Sequence, residues 1–321
     1  MSPAPPVTIL LALYDPDPGW LRQLLRSLDA QTCPNLSLLA CDDASPTVPH
    51  SAIRAIFAET LSRLPWRLER NPANLGSNAT FERLTREATG EFLAYCDQDD
   101  IWLPHKTLAL RDALLRDPSA LLACSDMSVI DASGRETAPS ITRIRRRIRF
   151  RSGPGLARHL LYQNFVTGAA MLVRAAPARE CLPFLPGLWY HDQQIAFHCA
   201  LRGSIVSLPE PLLQYRIHDR NQTPLLPGVR TPADYYARIL HPYTLHIRAL
   251  AARYPGFAPI AEAAAWADAR EARYRRAPGS FRALHALRRL KPSVTWFELL
   301  AFPLPRPLFR LLASAIRRGH L

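Results

Sequence analysis

The chain has 321 residues, of which 48% are hydrophobic, and its 40 basic and 27 acidic side chains give a formal net charge of +13 at pH 7. This is the composition of a globular protein with one large or two smaller domains, and the charge favours polyanionic partners without identifying one. The six cysteines form no CxxC pair, so the sequence indicates neither a zinc site nor a disulfide framework but core thiols in a reducing compartment.

The N-terminal segment predicts a buried strand rather than a secretory signal. MSPAPPVTILLALYDPDP has no basic residue ahead of its short apolar run. Residues 7–14 are continuously apolar and lead into Asp15-Pro-Asp-Pro-Gly19, as at the end of a strand that is buried on both faces.

Strands and helices then alternate with short links. Apolar runs and helical spacing predict, in order, a helix with Leu21, Leu24, Leu25 and Leu28, a strand over 36–41, a helix over 51–63, a strand over 66–70, a helix with Phe81, Leu84 and Ala88, and a strand over 92–95. This alternation predicts an α/β domain with a mainly parallel sheet, whose ligands bind beyond the carboxyl ends of the strands.

Acidic residues follow two of these predicted strands at what should be the same sheet edge. Asp42 and Asp43 end the second strand, and CDQDDIWLP, residues 96–104, follows the fourth. Aspartates also occur simply as turn and capping residues. Carboxylates gathered at one edge, however, repel each other and call for a compensating cation.

The DQD triplet suggests a divalent cation. Asp97 and Asp99 are two residues apart and can project to one side of an extended backbone, giving oxygen ligands of the kind that Mg²⁺ or Mn²⁺ prefers. Open coordination positions suit the phosphates of a nucleotide diphosphate. Phosphatases of the haloacid dehalogenase type also carry DxD, but after the first strand and with Thr or Val soon after the second Asp, so Asp100-Ile101-Trp102 disfavours them.

Five segments together carry a family resemblance. They are the Tyr-Asp-Pro end of the first strand, CDDASP, NLGSNATF, GEFLAYCDQDDIWLPHKT and HDQQIAFHCALRGSIVSLPEPLLQYRIHDRN. In this order and spacing they resemble the family 2 glycosyltransferases of the GT-A fold, and most closely the rhamnosyltransferase-type members of bacterial surface polysaccharide synthesis. The resemblance covers roughly residues 5–222.

The resemblance implies roles for individual residues. Contacts to the donor nucleotide fall on Tyr14, Asp42, Asp43, Asn74, Gly76 and Asp97. Carboxylates suit this task because they accept hydrogen bonds from a base or a ribose hydroxyl, whereas Gly76 is equally explained as a turn glycine. Asp99 falls on the metal site, His218 on the metal site or a phosphate contact, and Arg216 on the diphosphate. Arg216 and His218 are predicted on one face of a short strand over 212–218.

Asp192 falls on the general base of the resembling enzymes, which removes the proton of the acceptor hydroxyl. A plain helix-capping role for Asp192 is the alternative. Where relatives commonly have aromatic residues after this acid, the chain has Gln193-Gln194, which leaves acceptor specificity open. His191 either packs or hydrogen-bonds substrate. Supporting positions around the site are assigned to Asp100, Trp102 and His191, with Trp102-Leu103-Pro104 predicted to start a helix.

Two further segments have open interpretations. Residues 164–168 occupy the family's segment between donor and acceptor sites, without individual roles. The basic stretch 143–151 is either a solvated loop or a contact for anionic lipid or a diphosphate-linked acceptor, and no nucleic-acid motif accompanies it.

The chain is predicted to divide into a catalytic domain over 1–222 and a helical, basic region over 223–321. Charged residues and prolines interrupt its apolar stretch over 297–316, which argues against a spanning helix. This region contacts a membrane surface, packs back on the catalytic domain or contacts a second subunit.

Together these features predict an inverting, metal-dependent transfer of a sugar from a nucleotide diphosphate to a hydroxyl of a growing, lipid-linked glycan. By family likeness the donor is dTDP-rhamnose, the cofactor Mg²⁺ or Mn²⁺, and the location cytoplasmic, peripheral on the inner face of the plasma membrane, with no nucleic-acid partner. Two alternatives are a sugar-phosphate nucleotidyltransferase and a non-catalytic glycan- or membrane-binding relative. The Gly-rich phosphate loop that a nucleotidyltransferase usually has after its first strand is not found in this sequence. A non-catalytic relative would have lost acidic residues that this chain retains.

Overall fold

The computed structural model describes residues 4–145, 148–185, 190–218 and 229–317. The strands are β1 Val7–Leu13, β2 Leu36–Asp42, β3 Trp66–Arg70, β4 Phe92–Cys96, β5 Ile101–Trp102, β6 Ala120–Ile130, β7 Glu136–Ala138, β8 Gly153–Pro154, β9 Met171–Arg174 and β10 Ser204–Arg216. The helices up to β10 are α1 Pro18–Asp29, α2 His50–Thr60, α3 Ser77–Glu87, α4 Lys106–Arg116, α5 Ile141–Ile144, α6 Ala157–Leu160, α7 Ala175–Glu180 and α8 His191–Arg202. The later helices are α9 Pro232–Tyr235, α10 His241–Arg253, α11 Ala258–Tyr274, α12 Ser280–Ala286, α13 Pro292–Ala301 and α14 Arg306–Arg317.

The chain forms two compact units. One comprises Met1–Phe184 and Tyr190–Asp219, and the other comprises Leu185–Trp189 and Arg220–Leu321. The predicted domain boundary between residues 222 and 223 lies outside the described residues and stays a prediction.

The strands of the first unit pair in the order β3-β2-β1-β4-β9-β6-β10-β5, with β7 on β6 and β8 on β10. β1, β2, β3 and β4 are mutually parallel, and β6 is parallel to β10. Because β9 runs antiparallel to both β4 and β6, those two strands point the same way. The carboxyl ends of β1, β2, β4, β6 and β10 therefore meet at one edge of the sheet, which confirms the predicted mainly parallel α/β architecture.

Helical periodicity explains how the helices cover this sheet. The four leucines predicted on one face of α1 are all buried, and Asp17 caps that helix by accepting the N–H groups of Gly19 and Trp20. All residues of β1 except Ala12 are buried, as its continuous apolar run predicted. The six cysteines are also buried, and none forms a disulfide.

Two local predictions were wrong. Trp102 does not start a helix: Ile101–Trp102 is the short strand β5, antiparallel to β10, and α4 begins at Lys106. The extended backbone ahead of Pro104 follows from the steric restriction that proline places on its preceding residue. The strand predicted over 212–218 is the end of the longer β10, which ends at Arg216. β10 contains Pro209 and Pro211, which have no backbone N–H to donate, and its pairing with β6 shifts register at this point.

The second unit is helical and has its own apolar cluster. Its buried residues are Val229, Tyr235, Leu240, Ala301, Phe302, Phe309 and Ala313. A buried ion pair between Arg270 of α11 and Glu298 of α13 links two of its helices at 2.6 Å between Nη2 and Oε1. In the part of the chain that the structure describes, no helix is both long enough and apolar enough to cross a membrane.

Candidate active site

The loop after β4 carries Asp97, Asp99 and Asp100, and it is fastened to the end of β1. The side-chain amide of Gln98 accepts the N–H of Tyr14 at 2.8 Å and donates to the Tyr14 carbonyl at 3.0 Å. The ring of Tyr14 remains exposed at this edge. The structure therefore presents Tyr14 and the acidic loop side by side, as required if both contact one ligand.

Asp99 and His218 form the hydrogen-bonded pair at the centre of the site. His218 Nε2 lies 2.7 Å from Asp99 Oδ2, although the two residues are 119 positions apart. The His218 ring also packs against Trp20 of α1, with ring centroids 4.7 Å apart. The two residues that the sequence assigned to a metal thus lie together, and Trp20, which the sequence analysis did not single out, lines the same place.

Arg216 links the acidic loop to other parts of the first unit. It is fully buried, and its guanidinium donates to the Asp99 carbonyl at 2.8 Å, the Asp131 carbonyl at 3.1 Å and Gln23 Oε1 at 2.8 Å. These bonds join the acidic loop to the β6–β7 turn and to α1. Arg216 therefore helps to hold the loop that carries Asp99, and its contact to a diphosphate stays a prediction.

Asp100 anchors the acidic loop through a buried hydrogen bond. It is fully buried, and its Oδ1 accepts the N–H of Arg216 at 3.0 Å. Its Oδ2 has no hydrogen-bond partner among the described residues. Trp102 is also buried, and its backbone N–H donates to Ser27 Oγ at 3.0 Å. Both residues therefore lie at supporting positions.

The carboxylates of the acidic loop repel one another. Burial raises the pKa of Asp97, and the charges of Asp99 and Asp192 raise it further. Burial and the neighbouring aspartates also raise the pKa of Asp100. A buried cation, Lys106, lies nearby with its Nζ 3.0 Å from the centroid of the Trp102 ring, and burial lowers its pKa to about 7. Carboxylates under this repulsion are stabilised by a divalent cation.

The donor atoms present suit such a cation. Asp99 supplies a carboxylate oxygen and His218 an imidazole nitrogen, a set that Mg²⁺ or Mn²⁺ accepts when phosphates and water complete the coordination shell. The described residues contain no group of three or more His, Cys, Asp or Glu side chains that could hold a metal.

Asp42 and Asp43 both hydrogen-bond to protein groups at the end of β2. Asp42 is fully buried, accepts the Ser45 N–H at 2.9 Å and lies 3.1 Å from His50 Nδ1. Asp43 accepts Asn71 Nδ2 at 2.7 Å and the Gly76 N–H at 2.8 Å. These contacts hold the loops that follow β2 and precede α3, and the role of the two carboxylates as nucleotide contacts stays a prediction.

The loop before α3 reaches the surface at Asn74 and Gly76. Asn74 Oδ1 accepts the Gly76 N–H at 2.9 Å, and Gly76 has φ of +83°. A Cβ at Gly76 would meet no atom within 4 Å. Glycine is therefore required by its backbone conformation, and the turn explanation accounts for it without close approach of a ligand. Asn74 is exposed to solvent.

Asp192 lies in the first turn of α8 and is tied to a second segment. Its Oδ1 accepts the Gln193 N–H at 2.7 Å, and its Oδ2 accepts the Gly168 N–H at 3.1 Å. Burial raises the pKa of Asp192 to about 6. The charge of Asp192 also raises the pKa of Asp97, so the carboxylate predicted as base and the acidic loop belong to one electrostatic cluster.

His191 packs rather than faces a ligand. Its ring lies among aromatic side chains, 4.1 Å from the Phe81 centroid and 5.1 Å from the Tyr95 centroid, and burial lowers its pKa to about 3. The packing alternative of the sequence analysis therefore describes this residue.

The basic stretch 143–151 has an outer charged side and an inner apolar side. Arg143, Arg145, Arg149 and Arg151 are exposed, whereas Ile148 and Phe150 pack against the core of the first unit. Residues 146–147 lie outside the described residues. This alternation fits a surface segment that is anchored by Ile148 and Phe150.

The fold of the chain is GT-A-like. It matches S. aureus TarS 1-349 in complex with UDP-GlcNAc, with a TM-score of 0.60 and 16% identity over 98% of this chain and 92% of that chain. It also matches the mannosyltransferase PcManGT from Pyrobaculum calidifontis in complex with GDP-Man and Mn²⁺, with a TM-score of 0.56 and 20% identity over 98% and 87% of the two chains.

Residues 8–176 match Glycosyl transferase family 2, and the chain belongs to this family. Among curated relatives, an uncharacterized glycosyltransferase of Nostoc sp. is 24% identical over 212 residues, which cover 63% of this chain and 62% of the relative. The chain thus spans less than two thirds of the length of that relative.

Proposed function

We propose that this chain is an inverting, metal-dependent glycosyltransferase that moves a sugar from a nucleotide diphosphate to a hydroxyl of a growing, lipid-linked glycan. One observation supports this proposal most directly. Three separate segments bring Asp99, His218 and Asp192 to the carboxyl edge of one sheet. The 2.7 Å contact between Asp99 and His218 and the coupling of the Asp192 charge to Asp97 support this assembly.

In the proposed reaction Asp192 accepts the proton of the acceptor hydroxyl. The freed oxygen attacks the anomeric carbon while the bond from that carbon to the diphosphate breaks, and the bonding electrons leave with the diphosphate. Attack opposite to the leaving group inverts the anomeric centre. A bound Mg²⁺ or Mn²⁺ would neutralise charge on the diphosphate, with Asp99 and His218 as its protein ligands.

The donor side is supported by two kinds of observation. TarS and PcManGT, which share this fold, are described with UDP-GlcNAc and with GDP-Man and Mn²⁺. In this chain Tyr14 and Asn74 are exposed at the same sheet edge as Asp97, where a nucleotide would lie. We propose dTDP-rhamnose as the donor because the sequence motifs resemble those of rhamnosyltransferase-type enzymes.

The two alternative functions are less well supported. A nucleotidyltransferase would need a phosphate-binding loop after β1, but Asp15 in that loop accepts the N–H groups of Thr47 and Val48 at 2.9 and 3.1 Å and so fixes two protein loops together. A non-catalytic relative would not need Asp99, Asp192 and His218 together.

Donor and metal use can be tested on the purified chain. We expect nucleoside diphosphate release from one member of a panel containing dTDP-rhamnose, UDP-GlcNAc and GDP-mannose, abolished by EDTA and restored by Mn²⁺ or Mg²⁺. Asp99→Asn should raise the metal concentration for half-maximal rate by about tenfold or more, because it removes a charged ligand. Asp112→Asn, which alters an exposed carboxylate on α4, is the matched control.

Transfer that is insensitive to EDTA would contradict metal dependence. Formation of a nucleotide sugar from a nucleoside triphosphate and a sugar phosphate would instead identify a nucleotidyltransferase. Specific binding of glycan with no turnover of any donor would favour the non-catalytic relative.

We further propose that the helical unit contacts an anionic membrane from its cytoplasmic side. On α14, Phe309 is fully buried, whereas Leu308 and Leu311 are 50% and 67% exposed beside the exposed Arg306 and Arg310. An apolar strip flanked by arginines suits the interface of an anionic bilayer. This contact would bring the chain to a lipid-linked acceptor.

Vesicle sedimentation tests this surface. The full chain should bind vesicles of phosphatidylcholine with phosphatidylglycerol better than phosphatidylcholine alone, and less at high salt. Leu308→Ser with Leu311→Ser should weaken binding at least about tenfold, since each buried leucine contributes about 1.5–3 kcal/mol. Leu245→Ser, at an equally exposed leucine of α10, is the control. Unchanged vesicle binding, or loss of a dimer instead, would contradict the proposal.

A further inference from the structure

The start of α8, which carries Asp192, is capped by a residue from another helix. Asn78, the second residue of α3, accepts the N–H of His191 on its Oδ1 at 2.9 Å. The side chain of Tyr190, at the position that usually caps a helix, makes no capping hydrogen bond. The free N–H groups at a helix start need such acceptors, and here one comes from 113 residues away.

A second segment, at Gly168, also contacts the first turn of α8. The Gly168 N–H donates to Asp192 Oδ2 at 3.1 Å. A Cβ at Gly168 would lie 2.8 Å from His191 Nε2 and 3.5 Å from Asp192 Cβ. Glycine is thus required here by space, because the backbone approaches the first turn of α8 closely.

Aromatic packing on the His191 ring opposes its displacement by a larger residue at 168. It is buried against Phe81 and Tyr95 at 4.1 and 5.1 Å between ring centroids. A methyl group at 168 would therefore push on the backbone of His191 and Asp192. A change of side chain at residue 168 would thus shift the Asp192 carboxylate through the packed His191 ring.

We propose that Asn78 and Gly168 are positioning residues that fix the Asp192 carboxylate for proton removal. This inference rests on the proposed function. Asn78 lies in the first turn of α3, two residues after Gly76. The predicted donor-side residues Asn74 and Gly76 therefore directly precede the helix whose side chain caps α8.

Kinetics of single variants test the inference. Asn78→Ala should lower kcat about tenfold to a hundredfold with donor KM changed less than about twofold, because displacements near 1 Å at a reacting group have costs of this order. Asn78→Asp keeps an oxygen acceptor at a helix N-terminus and should recover most of kcat. Gly168→Ala should lower kcat in the same range.

Thr231→Ala is the control for loss of a helix cap. Thr231 Oγ1 accepts the Asp234 N–H at 3.1 Å at the start of α9, so this variant loses a comparable bond in the helical unit. Its kcat should remain that of the wild type. Amide hydrogen exchange of residues 190–194 gives a readout that needs no activity, and it should be faster in Asn78→Ala and in Gly168→Ala only.

The outcomes separate the two proposals. Full kcat and unchanged exchange in Asn78→Ala and Gly168→Ala, with Asp192→Asn inactive, would overturn the positioning roles and leave the proposed function standing. Equal loss in Asn78→Ala and Asn78→Asp would also overturn the capping role. Full activity in Asp192→Asn would overturn the proposed function itself.

Discussion

Asp192→Asn should lower kcat by about 10²–10⁴-fold, the range attributed to general-base catalysis. Asparagine keeps the size of the side chain and can still accept the Gly168 N–H, but it cannot take up a proton. Donor KM should change little, since Asp192 is assigned to the acceptor side. Steady-state transfer with the donor identified above is the measurement, and a variant that retains more than about half of the wild-type kcat would contradict the assignment.

The pH profile of the wild type provides the companion test. Because burial raises the pKa of Asp192 to about 6, the carboxylate is protonated below that pH and ionised above it. A base must be ionised, so the rate should be level above about pH 6 and fall towards tenfold per pH unit below it. Asp192→Asn should lose this acidic limb from its residual rate, whereas Asp112→Asn should retain it.

Glu298→Ala should destabilise the helical unit by about 3–5 kcal/mol, since removal of one member of a buried ion pair leaves a buried charge uncompensated. Arg270 and Glu298 are 2% and 0% exposed, and Arg270 Nε lies 2.9 and 2.8 Å from the two carboxylate oxygens of Glu298. Tyr235 also donates to Glu298 Oε1 at 2.7 Å. Denaturant unfolding followed by circular dichroism measures the loss.

Two comparison variants make this prediction specific. Glu59→Ala breaks an exposed pair with Arg22 at 3.4 Å and should cost at most about 1 kcal/mol. Arg270→Met with Glu298→Leu removes both charges and should recover much of the lost stability, because packed apolar residues often replace a buried pair without loss. A cost below about 1 kcal/mol for Glu298→Ala would show that the pair does not act as a buried unit.

Local patterns were sufficient for the elements around the sheet edge. Continuous apolar runs predicted β1 and β4, and the spacing of the leucines predicted α1. Each pattern lies within one short segment, so it could be recognised from the sequence alone. Strand alternation then placed Asp42, Asp43 and the 97–100 loop at one edge, because parallel strands end on the same side. The sequence did not predict β6 or β9, although both lie in the middle of the sheet.

Arg216 and Asp42 show how far the chemistry of a single residue can predict its surroundings. The family resemblance assigned both to a ligand, and their chemistry suits phosphate and ribose contacts. A charged side chain has the same chemistry whether it meets a ligand or a protein loop. Only the fold reveals that both are fully buried and that their hydrogen bonds go to protein groups.

The sequence by itself determined the α/β architecture and the family, because both are marked by patterns within short segments, and it yielded Asp99, His218 and Asp192 as the predicted site. Only the tertiary structure decided that Asn78 caps α8, that Gly168 leaves space for His191 and that Trp20 packs against His218. These contacts join residues of different segments, and no local periodicity records them. Hydrogen bonds and close packing between distant segments depend on distances that exist only once the chain has folded.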